Sequence, residues 1–311
     1  ITVDEEITGK LGGEMRSIMH SGNLDQGAAM FIRGLSSINA NAQPLVIVDG
    51  VELDMQRNRS SLHEGDIFNM LSTISPDDID NVEVVKNATA LYGARGSNGV
   101  ILITTKRGAE GKAQIGVSAN AVMKIPSKLP DKYDSYDALV ARNTVIEHEL
   151  NLNPDSWAYL RSMDFISNYR NSDPNATDEY GNLISERYPN VDWQRALFKD
   201  FTMSYNANLN VSGGTRFVKY FASVDFVSEG DLYKDFGNGR QYPTGYDYKR
   251  VNVRSNLDFN ITKSTVFKVN IAGSNGRQMT PWANSVNNDW QLSQQWAGVY
   301  NISPDAFIPK Y

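Results

Sequence analysis

Gly93, Gly96 and Gly99, in the run Tyr-Gly-Ala-Arg-Gly-Ser-Asn-Gly, form the first group in this sequence whose spacing could do chemistry. Glycine-rich turns let backbone N–H groups cradle a phosphate, but such a loop follows a strand and opens a helix. These glycines leave a short helical run and enter a β-branched one, so a tight turn is the better account. Asp77, Asp78 and Asp80 could serve as paired acid and base carboxylates. They follow Ser75-Pro76, however, where acids favour the start of a helix through its dipole. His20, His63 and His148 have no ligand-like spacing and there is no cysteine, so neither metal coordination nor imidazole or thiol catalysis has a pattern to rest on. No enzymatic activity, metal or cofactor is expected. Trp282, Trp290, Trp296 and Tyr300 offer flat rings that could stack on a sugar or a peptide side chain, or anchor a protein at a membrane interface.

The elements that must position these groups begin with a small α/β unit. Leu45 to Val48 and Val100 to Thr105 are short β-branched runs bounded by Gly and Asp, which suits strands buried on both faces. Ser75-Pro76-Asp77-Asp78 predicts a short helix. Asn87 predicts the cap of a second one, Ala88 to Leu91, which Gly93 would end in a left-handed conformation. Ile7 to Ile18 reads as part strand and part helix.

Beyond Gly108 the periodicity changes to two. Ile115, Val117, Ala119, Ala121 and Met123 alternate with polar residues, as do Tyr205, Ala207, Leu209 and Val211. Gly213-Gly214 predicts a tight hairpin turn. Val218 to Phe226, Val251 to Ile261 and Phe267 to Ile271 continue the rule, giving five two-faced strands. On pattern alone a soluble antiparallel sheet, packed on one side, is the simpler account. The connections shift that balance. Short links after Val211 and Ile261 alternate with long ones after Met123, Val227 and Ser274, as in a membrane barrel with tight turns on one side and long loops on the other. The first long link is too long to be structureless. Asp134 predicts the start of one helix there and Pro154-Asp155-Ser156 another, through Ile166, whereas Asp173 to Arg187 reads as polar turn material.

Composition excludes several classes. Across 311 residues, Lys+Arg 30 against Asp+Glu 36 gives a net charge of −6, and no basic face is visible, which argues against nucleic-acid binding. A mean hydropathy of −0.42 and the lack of any apolar run near helix-spanning length exclude a membrane-crossing helix but not a β-barrel. Ile1 opens on no signal-peptide pattern, so a mature or cropped chain is expected. Five strands cannot close a barrel, so the chain reads as the front part of a larger protein.

The blocks Phe31-Ile32-Arg33-Gly34, Pro44 to Val51, Asp78 to Gly93 and Gly99 to Gly108, in that order, resemble the plug of TonB-dependent outer-membrane transporters, specifically the SusC/RagA-like branch found in Bacteroidetes. Weaker likeness continues through Val191 to Thr215 and Tyr248 to Leu257. The resemblance implies an α+β plug domain over residues 1–110, followed by the first antiparallel strands of a 22-stranded barrel over 111–311, with extracellular loops at 124–202, 229–249 and 276–311. It implies import of oligosaccharides, or in some members oligopeptides, across the bacterial outer membrane. A SusD-like surface lipoprotein and TonB would be the partners, and outer-membrane lipid the surroundings. Arg33 would act as a latch onto barrel-wall carboxylates. Where many members of the wider family carry a second arginine, this chain has Lys86. Gly34, Asp49, Gly50, Tyr92, Gly93 and Gly99 complete the plug motif, and Asn39, Asn41, Asp54 and Arg57 join Trp282, Trp290 and Trp296 as substrate-contact candidates. A siderophore or vitamin receptor of the wider family and a soluble β-rich binding module are the alternatives.

Overall fold

Two β-branched runs, Leu45–Val48 and Val100–Thr105, pair as parallel strands at the centre of the first part of the chain, as their composition predicts. The computed structural model describes residues 3–11, 13, 15–19, 28–32, 34, 42–53, 70–126, 129, 131–149, 154–170, 173, 175–235, 245–279 and 302–306. They fall into two compact units. The first comprises Ile1–Lys124, Phe201–Asp231 and Pro243–Ser293, and the second Ile125–Asp200, Leu232–Tyr242 and Gln294–Tyr311.

In the first unit, helix α1 (Val3–Leu11) precedes a two-stranded ribbon of β1 (Arg16–Met19) and β2 (Ala28–Phe31). A four-stranded mixed sheet follows, built from β3 (Leu45–Val48), β4 (Val51–Leu53), β5 (Ile79–Val85) and β6 (Val100–Thr105) in the order β4-β3-β6-β5, with α2 (Thr89–Tyr92) between β5 and β6. Adjacent residues of β3 point to opposite sides. Val46 joins Val3, Ile7, Met30, Leu71, Ile101 and Ile103 in one apolar cluster, while Ile47 joins Ala88 and Val100 in another. Val3 and Ile7, one helical turn apart, put α1 onto the first cluster.

The Asp49–Gly50 pair makes the two-residue turn between β3 and β4. Val48 pairs with Val51, and φ is 50° at Asp49 and 86° at Gly50, as a type I′ hairpin requires. This strand and its turn went unread in the sequence, although Asp-Gly between apolar runs was available as the signal.

Helix expectations in this unit need correction. Pro76–Asp78 forms only one 3-10 turn, because Ile79 is already extended and the Asp78 carbonyl accepts Lys106 N–H (2.8 Å), drawing the chain into the sheet. Ala88, not Asn87, stands at the N-cap of α2, and Gly93 ends it at φ 59° and ψ −148°, a glycine conformation outside the left-handed helical basin.

Five strands continue from this sheet: β7 (Gly111–Lys124), β8 (Thr202–Gly214), β9 (Val218–Gly230), β10 (Asp247–Asn260) and β11 (Val266–Met279). They pair antiparallel in sequence order. The turn between β8 and β9 lies beyond Gly213-Gly214, at Thr215 to Phe217, where Thr215 Oγ1 accepts the N–H groups of Phe217 and Val218. The two glycines stay in the strand. A Cβ on Gly214 would meet the Val218 carbonyl at 2.9 Å, so their smallness serves close packing.

The second unit holds the helices of the first long link: α3 (Ser135–Glu149), α4 (Met163–Ser167), α5 (Ile184–Arg187) and α6 (Trp193–Leu197). Asp134 caps α3 by accepting Asp137 N–H (2.8 Å), as expected. The helix predicted from Pro154 through Ile166 is broken into a 3-10 stretch, Pro154–Tyr159, and α4. The Asn143 side chain takes both backbone groups of Arg161, and Ser162 caps a fresh start. The stretch read as turns contains α5, held by an edge-to-face cluster of Phe165, Tyr169 and Tyr188. Burial lifts the Tyr169 hydroxyl above its ordinary pKa, with Asp305 adding to the rise.

Candidate functional site

Alternation in β8, β9 and β10 places polar residues on one face, and that face is the buried one. Asn208 is 2 % exposed, Asp225 1 %, Asn252 3 % and Asn256 1 %, whereas Ile115 and Val117 of β7 are 74 % and 75 % exposed. Leu209, Val224, Phe226, Val251, Val253 and Ile271 are exposed as well. A water-soluble sheet buries its apolar face, so this arrangement is inverted.

The small mixed sheet covers the polar face, and it does so with one end. Asp49 follows β3, Thr105 closes β6, and Ser72, Ser75 and Asp78 lie in the turns before β5. All are near the carboxyl ends of the parallel strands. The strand register of the five-stranded sheet sets two adjacent rows against them: Asn208, Asp225 and Asn252 in one, Asn210, Ser223 and Arg254 in the next. Ser75 Oγ donates to Asp225 Oδ1 (2.8 Å), and Ser223 Oγ donates to Asp78 Oδ2 (2.8 Å). Asn256 Nδ2 donates to Thr105 Oγ1 and to the Lys106 carbonyl, both at 2.8 Å, and Asn252 Nδ2 to the Ser72 carbonyl at 3.3 Å. Ser118 Oγ of β7 donates to Asp77 Oδ2.

Arg254 is the charge at the centre. Its NH1 stands 3.6 Å from Asp49 Oδ2 and its Nε 3.7 Å from Asp78 Oδ2, and all three side chains are less than a tenth exposed. These distances exceed hydrogen-bond length, so the attraction is Coulombic and works in a poorly screened interior. Asp49 is further held by Thr105, whose N–H (2.9 Å) and Oγ1 (2.5 Å) both donate to it. Burial pushes the Asp78 carboxyl above its ordinary value, against the opposing pull of Ser223, Arg254 and Asn208, while the Asp225 charge adds to the rise. Where the chain leaves β6, Arg107 pairs with Asp258 of β10 (2.6 Å) and donates to Asn270 of β11 (3.0 Å), a second fastening at partial exposure.

Few of the site residues named from sequence meet at this seat. Asp49 does. Gly50 shapes the turn that presents it, and Gly99 fits where a Cβ would come 2.6 Å from Ile32 Cδ1. Tyr92 packs on the second apolar cluster, Lys86 is exposed, and Gly34 and Gly93 sit at positive φ. Arg33, Asn39, Asn41, Asp54, Arg57, Trp282, Trp290 and Trp296 lie outside the described residues.

Asp78 was read as helix-end electrostatics and is instead a buried partner of Arg254. Ser223 and Asp225 of β9 and Arg254 and Asn256 of β10 were missed as site residues. Their visible signal was polar residues on a strict two-residue period, which names a face but not its partner. Among the described residues no cluster of three or more His, Cys, Asp or Glu could hold a metal. Nor is any helix there long and apolar enough to cross a membrane, which says nothing of a β-barrel. The hydrogen bonds that cross the seat hold one part of the chain against another.

A family model for the TonB-dependent receptor plug domain matches residues 8–100. The TonB-dependent receptor SusC of Bacteroides thetaiotaomicron is 28 % identical over 263 residues, which is 82 % of this chain and 22 % of that protein. TonB-dependent receptor P26 of Formosa agariphila is 27 % identical over 275 residues, 86 % of this chain and 23 % of its own length. Among solved structures, the RagAB peptide transporter shares the fold with a TM-score of 0.59 and 24 % identity, over 86 % of this chain and 28 % of that one. The chain thus spans about a quarter of the length of the proteins it resembles.

Proposed function

We propose that this chain carries the plug and the first wall strands of a SusC/RagA-like, TonB-dependent receptor of the bacterial outer membrane, and that the whole protein imports oligosaccharides through a barrel that the plug closes. The inverted burial carries this reading. An apolar outer face suits lipid, and a polar inner face suits a lumen that fills with water once the stopper moves. A seat made of hydrogen bonds and loose ion pairs suits a stopper that must leave. Water replaces each lost bond, so a typical exchange costs only about 0.5–1.5 kcal/mol.

Energy would come from TonB drawing on the plug, and a SusD-like lipoprotein would deliver the ligand. In the first long link, Tyr133, Trp157 and Tyr180 are exposed, and their planar faces suit stacking on sugar rings. Asn39, Asn41, Asp54, Arg57, Trp282, Trp290 and Trp296 are assigned to the same ligand path.

The test is deletion of the gene followed by growth on purified glycans and on peptides. Loss of growth on a glycan supports the reading, loss confined to peptides reassigns the cargo, and unchanged uptake of every candidate sinks the transport claim. Arg33 is assigned a second fastening, opposite in sign to that of Asp49 and Asp78. Arg33→Ala should raise passive permeability, and an unchanged barrier removes Arg33 from the mechanism.

A further inference from the structure

The plug and the wall exchange serines across their interface. The turn before β5 offers Ser75 and Asp78, and β9 offers Ser223 and Asp225 on one face, two positions apart. Each serine donates to the acid of the opposite side, at 2.8 Å in both cases. Asn206 Nδ2 adds a bond to the same oxygen of Asp225 (3.3 Å), and Asn208 Nδ2 to Ser75 Oγ (3.4 Å). One oxygen of each acid is left over. Asp78 Oδ1 and Asp225 Oδ2 are buried with no hydrogen-bond partner among the described residues. A buried carboxylate oxygen without a partner is unfavourable, and protonation lowers that cost by removing the buried charge.

Charge points the same way. Asp49 and Asp78 divide the Arg254 guanidinium between them, at 3.6 and 3.7 Å, and the Asp225 charge acts on Asp78 from the strand side. Other charged groups lie nearby. Arg250 NH1 donates to the Tyr248 hydroxyl, Lys124 of β7 bonds Glu229 of β9, and Lys106 Nζ donates to the Asp77 carbonyl. Asp77 adds a further negative charge, held by Ser118.

We propose that buried Asp78 keeps its proton while the plug is seated beside Asp225, so that seating of the plug weakens as that proton is lost to solvent at rising pH. The inference rests on the plug-and-wall reading above and deepens it. Release of the proton puts a buried negative charge on Asp78 beside Asp225, and their repulsion acts directly on the contact that holds the stopper. The sign follows from linkage. Asp78 is raised in the seated form and returns to the ordinary 3.8 once the turn is free in water. The seated form therefore binds more protons between the two values. Its advantage is complete below the ordinary value and is lost as pH climbs through the raised one, by up to about tenfold in the seated-to-loose ratio per pH unit.

The experiment uses the full-length receptor in planar bilayers, with ion leak recorded from about pH 5 to about pH 9. Wild-type leak should rise with pH, and Asp225→Asn should flatten the rise, because an amide bears no charge and can donate to Asp78. Ser223→Ala removes a bond that favours ionised Asp78, so it should move the onset of leak to higher pH. A flat wild-type profile, an Asp225→Asn slope equal to wild type, or an unmoved onset in Ser223→Ala each overturns the protonated Asp78. Arg254→Met separates the two levels. If it leaves the leak unchanged at every pH, the seat itself is misread; if it raises the leak while Asp225→Asn keeps the slope, only the proton inference fails.

Discussion

Two buried regions of the first unit are built from opposite materials. The core around Val46, Ile101 and Ile103 is apolar and close to fully buried. The seat around Asp49, Asp78 and Arg254 is equally hidden and almost wholly polar. Apolar burial is non-directional and is lost only by exposing the surface to water, so the core keeps the plug folded as a unit. Polar contacts are directional and exchangeable with water, so the seat fixes where the plug sits by bonds that water can replace. The difference gives one short sheet an apolar hold on itself and a polar hold on its surroundings.

The sharpest way to break that comparison is to damage each region and ask which property moves. Ile101→Ala should have the largest effect, removing about 2–5 kcal/mol from the plug's own stability, because the residue is fully buried between strands. Protease susceptibility of the plug in the intact receptor reads it; wild-type resistance would mean that the seat, not the core, holds the fold. Arg254→Met comes next. Stranding Asp49 and Asp78 without their cation should cost about 2–4 kcal/mol, somewhat less than for a close buried pair, and should appear chiefly as ion leak. A variant that lost plug resistance without leaking would merge the two regions into one.

Asn256→Leu should cost about 1–2 kcal/mol, since Thr105 Oγ1 and the Lys106 carbonyl lose their shared donor while the interface stays dry. Single-channel recording should show brief openings; their absence would make this pair of bonds incidental. Smallest of all should be Arg95→Ala. Its bond to Glu52 lies on an exposed flank of the plug (2.7 Å), and loss of an exposed pair is worth about 0.2–1 kcal/mol. A shift in leak on that substitution would extend the seat beyond the strand ends.

The core was legible in the sequence to a degree that the seat was not. Leu45 to Val48 and Val100 to Thr105 declared themselves by β-branched composition, and their flanking Gly and Asp set their limits closely. The five long strands showed through their two-residue period, with ends displaced by a few residues; the second long link starts after Gly230, and β11 runs on to Met279. Helices failed where a side chain was claimed from afar. Ser75 looks like a cap in sequence, yet its hydroxyl is spent on Asp225, 150 residues away. Asn143 similarly interrupts the helix predicted from Pro154 by taking the backbone of Arg161.

What the sequence determined by itself is the two-faced character of the wall and the buried strands of the plug, because period and branching are properties of neighbouring residues. It did not determine which face of the wall is inside. Alternation is symmetric: the same pattern serves a soluble sheet with its apolar face buried or a barrel wall with its polar face buried. Only the folded chain decides, by laying Asp49, Asp78 and Thr105 against Asp225, Arg254 and Asn256, residues that no local rule relates to one another. Polar groups can be buried only where partners of matching geometry meet them, and those partners come from a different, distant stretch of the chain.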